Sequence, residues 1–541
     1  MASVLACALA AALGTAACGG GSGQATKPTT GSTATAGGGG TTTSTAGGGK
    51  AGGTAGSGTL VVASAVAPPT LDLTSNPAAA IDEVLDYNVY QHLVELDPKG
   101  KVIPVLATKY AVSPDGLTYT FTVRGGVKFS NGDAMTPADV VSSLKRVIAP
   151  GSKYPYGKLL ADVKSVSTSG ADQVVVKLSH PDNQFLYDLA AYSNGVVLDP
   201  KAIPQIATHP VGTGPYVFQS YRPNYSVSLA RNPTYWGTKP GVAKVTFRYF
   251  SSANAENSAL KSGQVQVIDN LENPQDAAQF KANSSFKVIA GPTNGKIQMT
   301  LNNAAGPLSK QAVRQAISYA TDKQAILKTV AAGYGTVIGS DDVPGDPWYL
   351  PSLAGKYPYN PTKAKKLLAG AGYPNGFSAT LVLPPYGYAS GAGPLLQAEL
   401  AAVGIKTKIT NVQFPLWLSQ VFTHSNFQMT VIDHVEARDI ANYANCSYYW
   451  KFAGCKKVAG MLTAATQATT TAAEVAGFEK VAKLIADQAV NDFLYNPDQV
   501  TVAKANVVGL PGSGLTESFD LGSVSIGGTL SSTARSQGYA P

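Results

Sequence analysis

Apolar and polar positions change their period several times along this chain, and each change marks an element. The runs LVVASAV at 60–66 and YTFTVRGGVKF at 119–129 place β-branched and aromatic residues at alternate positions, which predicts strands. In AMTPADVVSSLKRVI, Val140, Val141, Leu144, Val147 and Ile148 recur at spacings of three and four, one face of a helix. Thr136 is its N-cap, Pro137 its first helical residue, and Asp139 follows three positions after the cap. SKQAVRQAISYATDKQAILKTVAAG at 309–333 reads as one long helix from a Ser309 cap to a Gly333 stop. Asn360-Pro361 opens a shorter helix through KAKKLLAGAGY. LLQAELAAVGI is a helix feeding the alternating strand IKTKIT at 405–410, and TAAEVAGFEKVAKLIADQAV is a last helix over about 471–490. The elements mix α and β in two large blocks with no repeat at a fixed period.

At 541 residues the chain exceeds a single ordinary core, so more than one lobe is expected. It is 44% apolar and only 14% charged, with Gly, Ala and Thr taking up the difference. The formal net charge is +8, yet the lysines are scattered, arginine is sparse, and no basic stripe interleaves with aromatics. That argues against nucleic acid as a partner.

The first eighteen residues, MASVLACALAAALGTAAC, are apolar and end in small residues before a Cys. Their length suits an export signal and falls short of a membrane span. Leu13-Gly14-Thr15-Ala16-Ala17-Cys18 resembles a bacterial lipobox, which implies lipidation of Cys18; an ordinary cleaved signal is the alternative. Residues 19–58 are Gly, Thr, Ser and Ala with only Lys27 and Lys50 charged, a stretch unable to bury enough surface to fold. Such a tether reaches roughly 35 Å, enough to let a folded body work just outside a membrane. On that reading the body is extracytoplasmic and anchored to the cell membrane. Cys446 and Cys455 then lie outside the cytoplasm, where two Cys nine positions apart most often form a disulfide. Metal binding is the rival, but there is no CxxC and no His at ligand spacing.

The catalytic motifs are near misses. GPTNGKI at 291–297 is one residue short of a phosphate loop and has Ile297 in place of Ser or Thr. GTGPYVF at 212–218 carries two of the three glycines of a dinucleotide fingerprint, and there is no HExxH or GxSxG in the folded body. A binder, without cofactor or metal, fits better than an enzyme.

Three stretches carry a resemblance. PVLATKYAVSPDGLTYTFTVRGGVKFSNGDAMTPADVVSSLKR (104–146), PVGTGPYVF (210–218) with RNPTYWGTKP (231–240), and LNNAAGPLSKQAVRQAISYATDKQAI (301–326) followed by NPTKAKKLLAGAGYPNGF (360–377) stand in one order. Together they resemble the family-five extracellular solute-binding proteins, the oligopeptide- and dipeptide-binding components of ABC importers. The resemblance implies an α/β, two-lobed periplasmic-binding-protein-like fold of class II, with mixed sheets flanked by helices. It implies lobe I over about 59–300, including an extra subdomain near 96–210, lobe II over about 301–499, and a 500–541 segment returning to lobe I. It further implies a monomer that captures a peptide by hinge closure and delivers it to a permease. The alternatives are a carbohydrate or other charged small molecule as ligand, or an exported sensor without transport.

The candidate site lies in HVEARDIANY, 434–443, where Glu436, Arg438 and Asp439 crowd together. In peptide-binding relatives a segment patterned Asp-x-x-Asp-Pro pairs a carboxylate with the ligand's ammonium; Glu436 falls on the anchoring Asp, and Ile440 replaces the Pro. Arg438 suits a ligand carboxylate or phosphate through its planar fork. The bland alternative is that Glu436 and Arg438 pair with each other or with the scaffold. Trp417, Tyr448, Tyr449 and Trp450 are the aromatic candidates for the cleft, each with core packing as its alternative.

Overall fold

Strand Asp492–Lys504 runs through both halves of the molecule, and the rest of the architecture follows from what pairs with each end of it. The computed structural model describes residues 58–541. The export segment 1–18 with Cys18, and the 19–58 tether up to residue 57, lie outside the described residues. The N-terminal part of Asp492–Lys504 pairs antiparallel with Lys296–Leu301, which continues outward through Met429–His434, Phe377–Leu383 and Ile405–Asn411. Its C-terminal part pairs with Phe286–Pro292 and Val267–Ile268, and from there the sheet continues through Thr59–Ser64, Lys244–Tyr249, Ser226–Arg231 and Tyr216–Arg222. The two ends carry different hydrophobic cores, so the molecule is two-lobed with mixed sheets and flanking helices.

The chain crosses between the lobes at residues 293–295, beside the middle of Asp492–Lys504. Thr293 Oγ1 donates to the Pro497 carbonyl at 2.8 Å, and Asn496 Nδ2 donates to the carbonyls of Thr293 and Gly295 at 2.8 and 2.7 Å. A Cβ at Gly295 would come within 2.8 Å of Asp433 Oδ1 and 3.0 Å of the Pro497 ring, so the crossing requires glycine there.

Beside the first lobe stands a four-stranded antiparallel sheet, Ala107–Val112, Thr118–Val123, Gln173–Leu178 and Val163–Ser169, with its own core. Helix Pro137–Ile148 closes it. Thr136 and Asp139 form the expected capping box, and Val140, Val141, Leu144 and Val147 are buried. Helices Asn360-capped Pro361–Gly370 and Thr471–Asp487 also form where the sequence places them, and the helix expected through LLQAELAAVGI starts earlier, as Gly387–Ala402 with Pro394 inside it. The long helix expected over 309–333 divides into Gln311–Ala320 and Lys323–Ala331. Asp322 causes the break: its Oδ1 accepts the Ala325 amide at 3.0 Å and caps a new helix. Ser309 belongs to the preceding 3-10 turn and does not cap. The strand expected over 119–129 ends at Val123, where Gly125-Gly126 turns the chain. The C-terminal segment packs Val507, Leu510, Phe519, Leu521 and Val524 into the first-lobe core. No helix among the described residues is long and apolar enough to cross a membrane.

Candidate ligand-binding cleft

Strand Met429–His434 carries the chain to the edge of the crossing, and register pairs His434 with Lys296. After it the backbone turns sharply, with Arg438 in the left-handed region at φ 51°, and a 3-10 turn begins at Asp439. The turn drives Asp439 inward. Its Oδ1 lies 2.5 Å from Lys296 Nζ, and both side chains are almost fully buried. The same ammonium donates to the carbonyls of Asn294 and Glu436 at 3.0 and 2.7 Å. Asp439 Oδ2 accepts from Asn442 Nδ2 at 3.2 Å and lies 3.4 Å from His434 Nδ1. Burial alone would raise the Asp439 pKa, but the Lys296 ammonium and His434 hold it well below the usual carboxylate range. Burial likewise opposes the Lys296 charge, and Asp439 and Asp341 overcome it. Asp439 is therefore committed to the scaffold.

Arg438 turns the other way, toward the first-lobe side. Its guanidinium carbon lies 3.3 Å from the centroid of Tyr187 and 4.9 Å from that of Trp348. Nη1 donates to Gln184 Oε1 at 2.7 Å, and Nε lies 3.8 Å from Asp346 Oδ1. Gln184 in turn donates to Glu474 Oε1 at 2.6 Å, Asn183 Nδ2 donates to the Ala465 carbonyl at 2.9 Å, and Tyr192 donates to the Ala437 carbonyl at 2.9 Å. These contacts tie residues 183–192 of the smaller sheet's core to the second lobe, so the cleft is closed in this structure. The sequence places Arg438 against a ligand carboxylate; here its Nη1 and guanidinium face serve the contacts to Gln184 and Tyr187 across the lobes, while Nε is buried without a hydrogen bond.

Glu436 is the member of the trio left without a partner. Its Oε2 is shut off from solvent and makes no hydrogen bond. Burial first, and then the charge of Asp439, raises its pKa. One ligand atom from each of His434, Glu436 and Asp439 lies within 4.8 Å of the others, the sole such triad of metal-ligand types among the described residues. Lys296 already neutralises Asp439, so the group best suited to Glu436 is a cation with N–H donors.

The aromatic candidates stand behind this acid, not in front of it. Trp417 is wholly buried and satisfied: Nε1 donates to Thr430 Oγ1 at 2.9 Å and the ring stacks on Phe414. It is a core residue, correcting the expectation of a cleft aromatic. Cys446 and Cys455 are joined, and their loop holds Tyr448, Tyr449 and Trp450 in the same buried cluster. Tyr449 OH lies 2.8 Å from His434 Nε2 and fixes the ring's orientation. Trp450 stacks on Tyr443 at 4.4 Å, with its Nε1 buried and unpartnered. These rings shape the wall that positions His434 and Asp439.

Lys296, His434, Tyr187, Tyr192, Trp348 and Asp341 pack around the candidate site and are not singled out by the sequence. Lys296 lay in plain view within GPTNGKI. Its signal is the one charge in the fully buried strand KIQMTL.

The profile of the bacterial extracellular solute-binding proteins, family 5, matches residues 101–455. The glutathione-binding protein GsiB of Salmonella typhi is 32% identical over 336 residues, 61% of this chain and 65% of that protein. The match thus spans a little under two thirds of the length of that relative. Among solved structures, the binding protein AgaA of A. tumefaciens R10, in complex with agropinic acid, is 26% identical with a TM-score of 0.72, covering 87% of this chain and 99% of that one. HbpA2 from Haemophilus parasuis is also 26% identical, with a TM-score of 0.75, covering 87% and 100%.

Proposed function

We propose, from the premise that this chain belongs to the bacterial extracellular solute-binding proteins of family 5, that it captures a peptide between its lobes and delivers it to an ABC importer. The observation that carries this reading is Glu436, whose Oε2 has neither solvent nor a protein partner while Asp439 and Arg438 are both engaged. An N-terminal ammonium supplies the missing donors and removes the cost of a buried, unpaired charge. We set the hinge at 293–295 and 495–498, a few residues before 300 and 499, because strand pairing changes lobes there. The permease would read the closed form, in which Arg438, Tyr187 and Tyr192 join the lobes, and the ligand leaves chemically unchanged. Lipidation at Cys18 and the 19–58 tether would hold the body at the outer face of the membrane.

A charged small molecule is the second reading, favoured by the 26% identity to AgaA, a protein solved with agropinic acid. Thermal melting with a peptide mixture, with agropinic acid and with sugars separates the two. A rise with peptides that disappears in Glu436→Gln supports the first reading; a rise only with the opine or a sugar replaces it.

A further inference from the structure

We propose that His434, Glu436 and Asp439 form a binding site for one divalent transition-metal ion, of the zinc or cobalt kind, with coordination positions left open toward the cleft. The site departs from the metal-free one expected from the sequence. It shares Glu436 with the peptide reading and does not depend on it.

His434 ends strand Met429–His434, and the left-handed turn at Arg438 brings Asp439 back onto it. His434 Nδ1 and Asp439 Oδ2 stand 3.4 Å apart. Two donors each about 2.1 Å from a tetrahedral zinc ion are themselves separated by about 3.4 Å. One ligand atom from each of His434, Glu436 and Asp439 lies within 4.8 Å of the others, and rotation of the Glu436 side chain closes the remaining gap. Lys296 takes the other Asp439 oxygen, Oδ1, and leaves Oδ2 turned to the imidazole.

The independent observation is His434 itself. It is 1% exposed, and its Nδ1 makes no hydrogen bond. On the far side of the ring Nε2 lies 2.8 Å from Tyr449 OH, which has Thr300 Oγ1 at 3.4 Å as a further partner. Metal-bound imidazoles donate the proton of the other ring nitrogen to an acceptor behind them. With Nε2 donating to Tyr449 in this way, Nδ1 presents a lone pair to an anionic oxygen in a dry wall, and the two repel unless a cation stands between them. A peptide ammonium answers Glu436 and leaves this lone pair over; a metal ion answers both. One imidazole nitrogen with two carboxylate oxygens is a donor set for zinc and its neighbours rather than for calcium or magnesium. Asn442 Nδ2, 3.2 Å from Asp439 Oδ2, orients that carboxylate. Val435 is 53% exposed, so the site lies just beneath the surface and an ion has a way in.

Co2+ titration tests this on residues 58–541, which hold every described element, without a polyhistidine tag and stripped of metal by a chelator. Cys446 and Cys455 are joined and offer no thiolate. The expected result is a visible d–d absorption band that saturates at one Co2+ per chain and is bleached by Zn2+. Glu436→Gln and His434→Gln each abolish the band. Tyr449→Phe keeps the ring and removes only the hydroxyl; it weakens Co2+ binding about 10–100-fold in a protein that still melts cooperatively, a loss that packing alone would not cause. Absence of both a band and a heat of Co2+ binding overturns the inference, and His434 and Asp439 then share a proton. A band that survives in both His434→Gln and Glu436→Gln puts the ion elsewhere and overturns it as well. The peptide reading fails or stands separately: a melting rise with peptides in the presence of chelator upholds it without the ion, and a Co2+ band with no response to any peptide upholds the metal site alone.

Discussion

The Arg438 guanidinium lies flat over the Tyr187 ring, 3.3 Å from its centroid, and the two residues come from opposite walls of the cleft. A desolvated cation–π contact of this kind contributes about 2 kcal/mol, and the Gln184 hydrogen bond adds to it. Both contacts exist only when the lobes are together.

Arg438→Ala is therefore expected to act on closure rather than on folding. Ligand affinity should fall roughly tenfold or more, since about 1.4 kcal/mol corresponds to a factor of ten, with the melting temperature of the free protein little changed. Titration calorimetry with small-angle scattering checks this: the variant should show a larger radius of gyration without ligand. An unchanged affinity and an unchanged radius would remove Arg438 from the closing device.

Lys296 and Asp439 carry the opposite expectation. They form a buried pair, so Lys296→Met leaves Asp439 uncompensated and should cost ~3–5 kcal/mol in urea denaturation. The double variant Lys296→Met/Asp439→Leu, which removes both charges, should lie well above the single variant in stability. If the double is no better than the single, the hydrogen bonds from Lys296 to the Asn294 and Glu436 carbonyls matter more than the charge pairing.

Local signals in the sequence were sufficient for the elements that are fixed locally. Thr136 and Asp139 sit three apart and cap their own helix, so that helix was legible. The break at Asp322 was not, because no Gly or Pro marks it and only the Asp322 cap interrupts the backbone. The acidic crowd at 436–439 was legible as a candidate site, whereas the different contacts of its members were not. Asp439 is claimed by a lysine in a strand far earlier in the chain, placed there by sheet register, and Arg438 by a tyrosine in the other lobe. Trp417 illustrates the same limit: an aromatic in sequence has no direction until the helix that carries it is packed.

Buried acidic groups set a pH dependence. Burial, the main cause in each case, pushes Glu256 up to about 8 and both Glu399 and Asp342 to about 7. In the unfolded chain such carboxyls lose their protons near pH 4. Between roughly pH 4 and 8 the folded state thus holds more protons, and stability falls as pH rises through that window. Asp439 works in the other direction, losing its contribution only as pH drops below its unfolded value toward its depressed folded one. The melting temperature should be higher at pH 5 than at pH 8 and drop again near pH 3, and Glu256→Gln should flatten the alkaline side. A melting temperature that rises from pH 5 to pH 8 would contradict the assignment.

The disulfide loop ties stability to the site. Cys446 and Cys455 close a short loop whose Tyr448, Tyr449 and Trp450 are all buried, and Tyr449 orients His434. A bridge around a loop of this size stabilises by about 2–4 kcal/mol, largely through the unfolded chain, so Cys446→Ser/Cys455→Ser should lower the melting temperature whatever the ligand. If the loop served the fold alone, ligand affinity would be untouched once the variant is folded. The contacts of Tyr449 and Trp450 argue otherwise: loosening them frees His434 and, with it, the neighbouring Asp439 and Glu436. The double variant should therefore bind ligand more weakly even well below its melting temperature, with red-shifted tryptophan emission as Trp450 meets water. Retained affinity with the red shift present would separate the loop from the site.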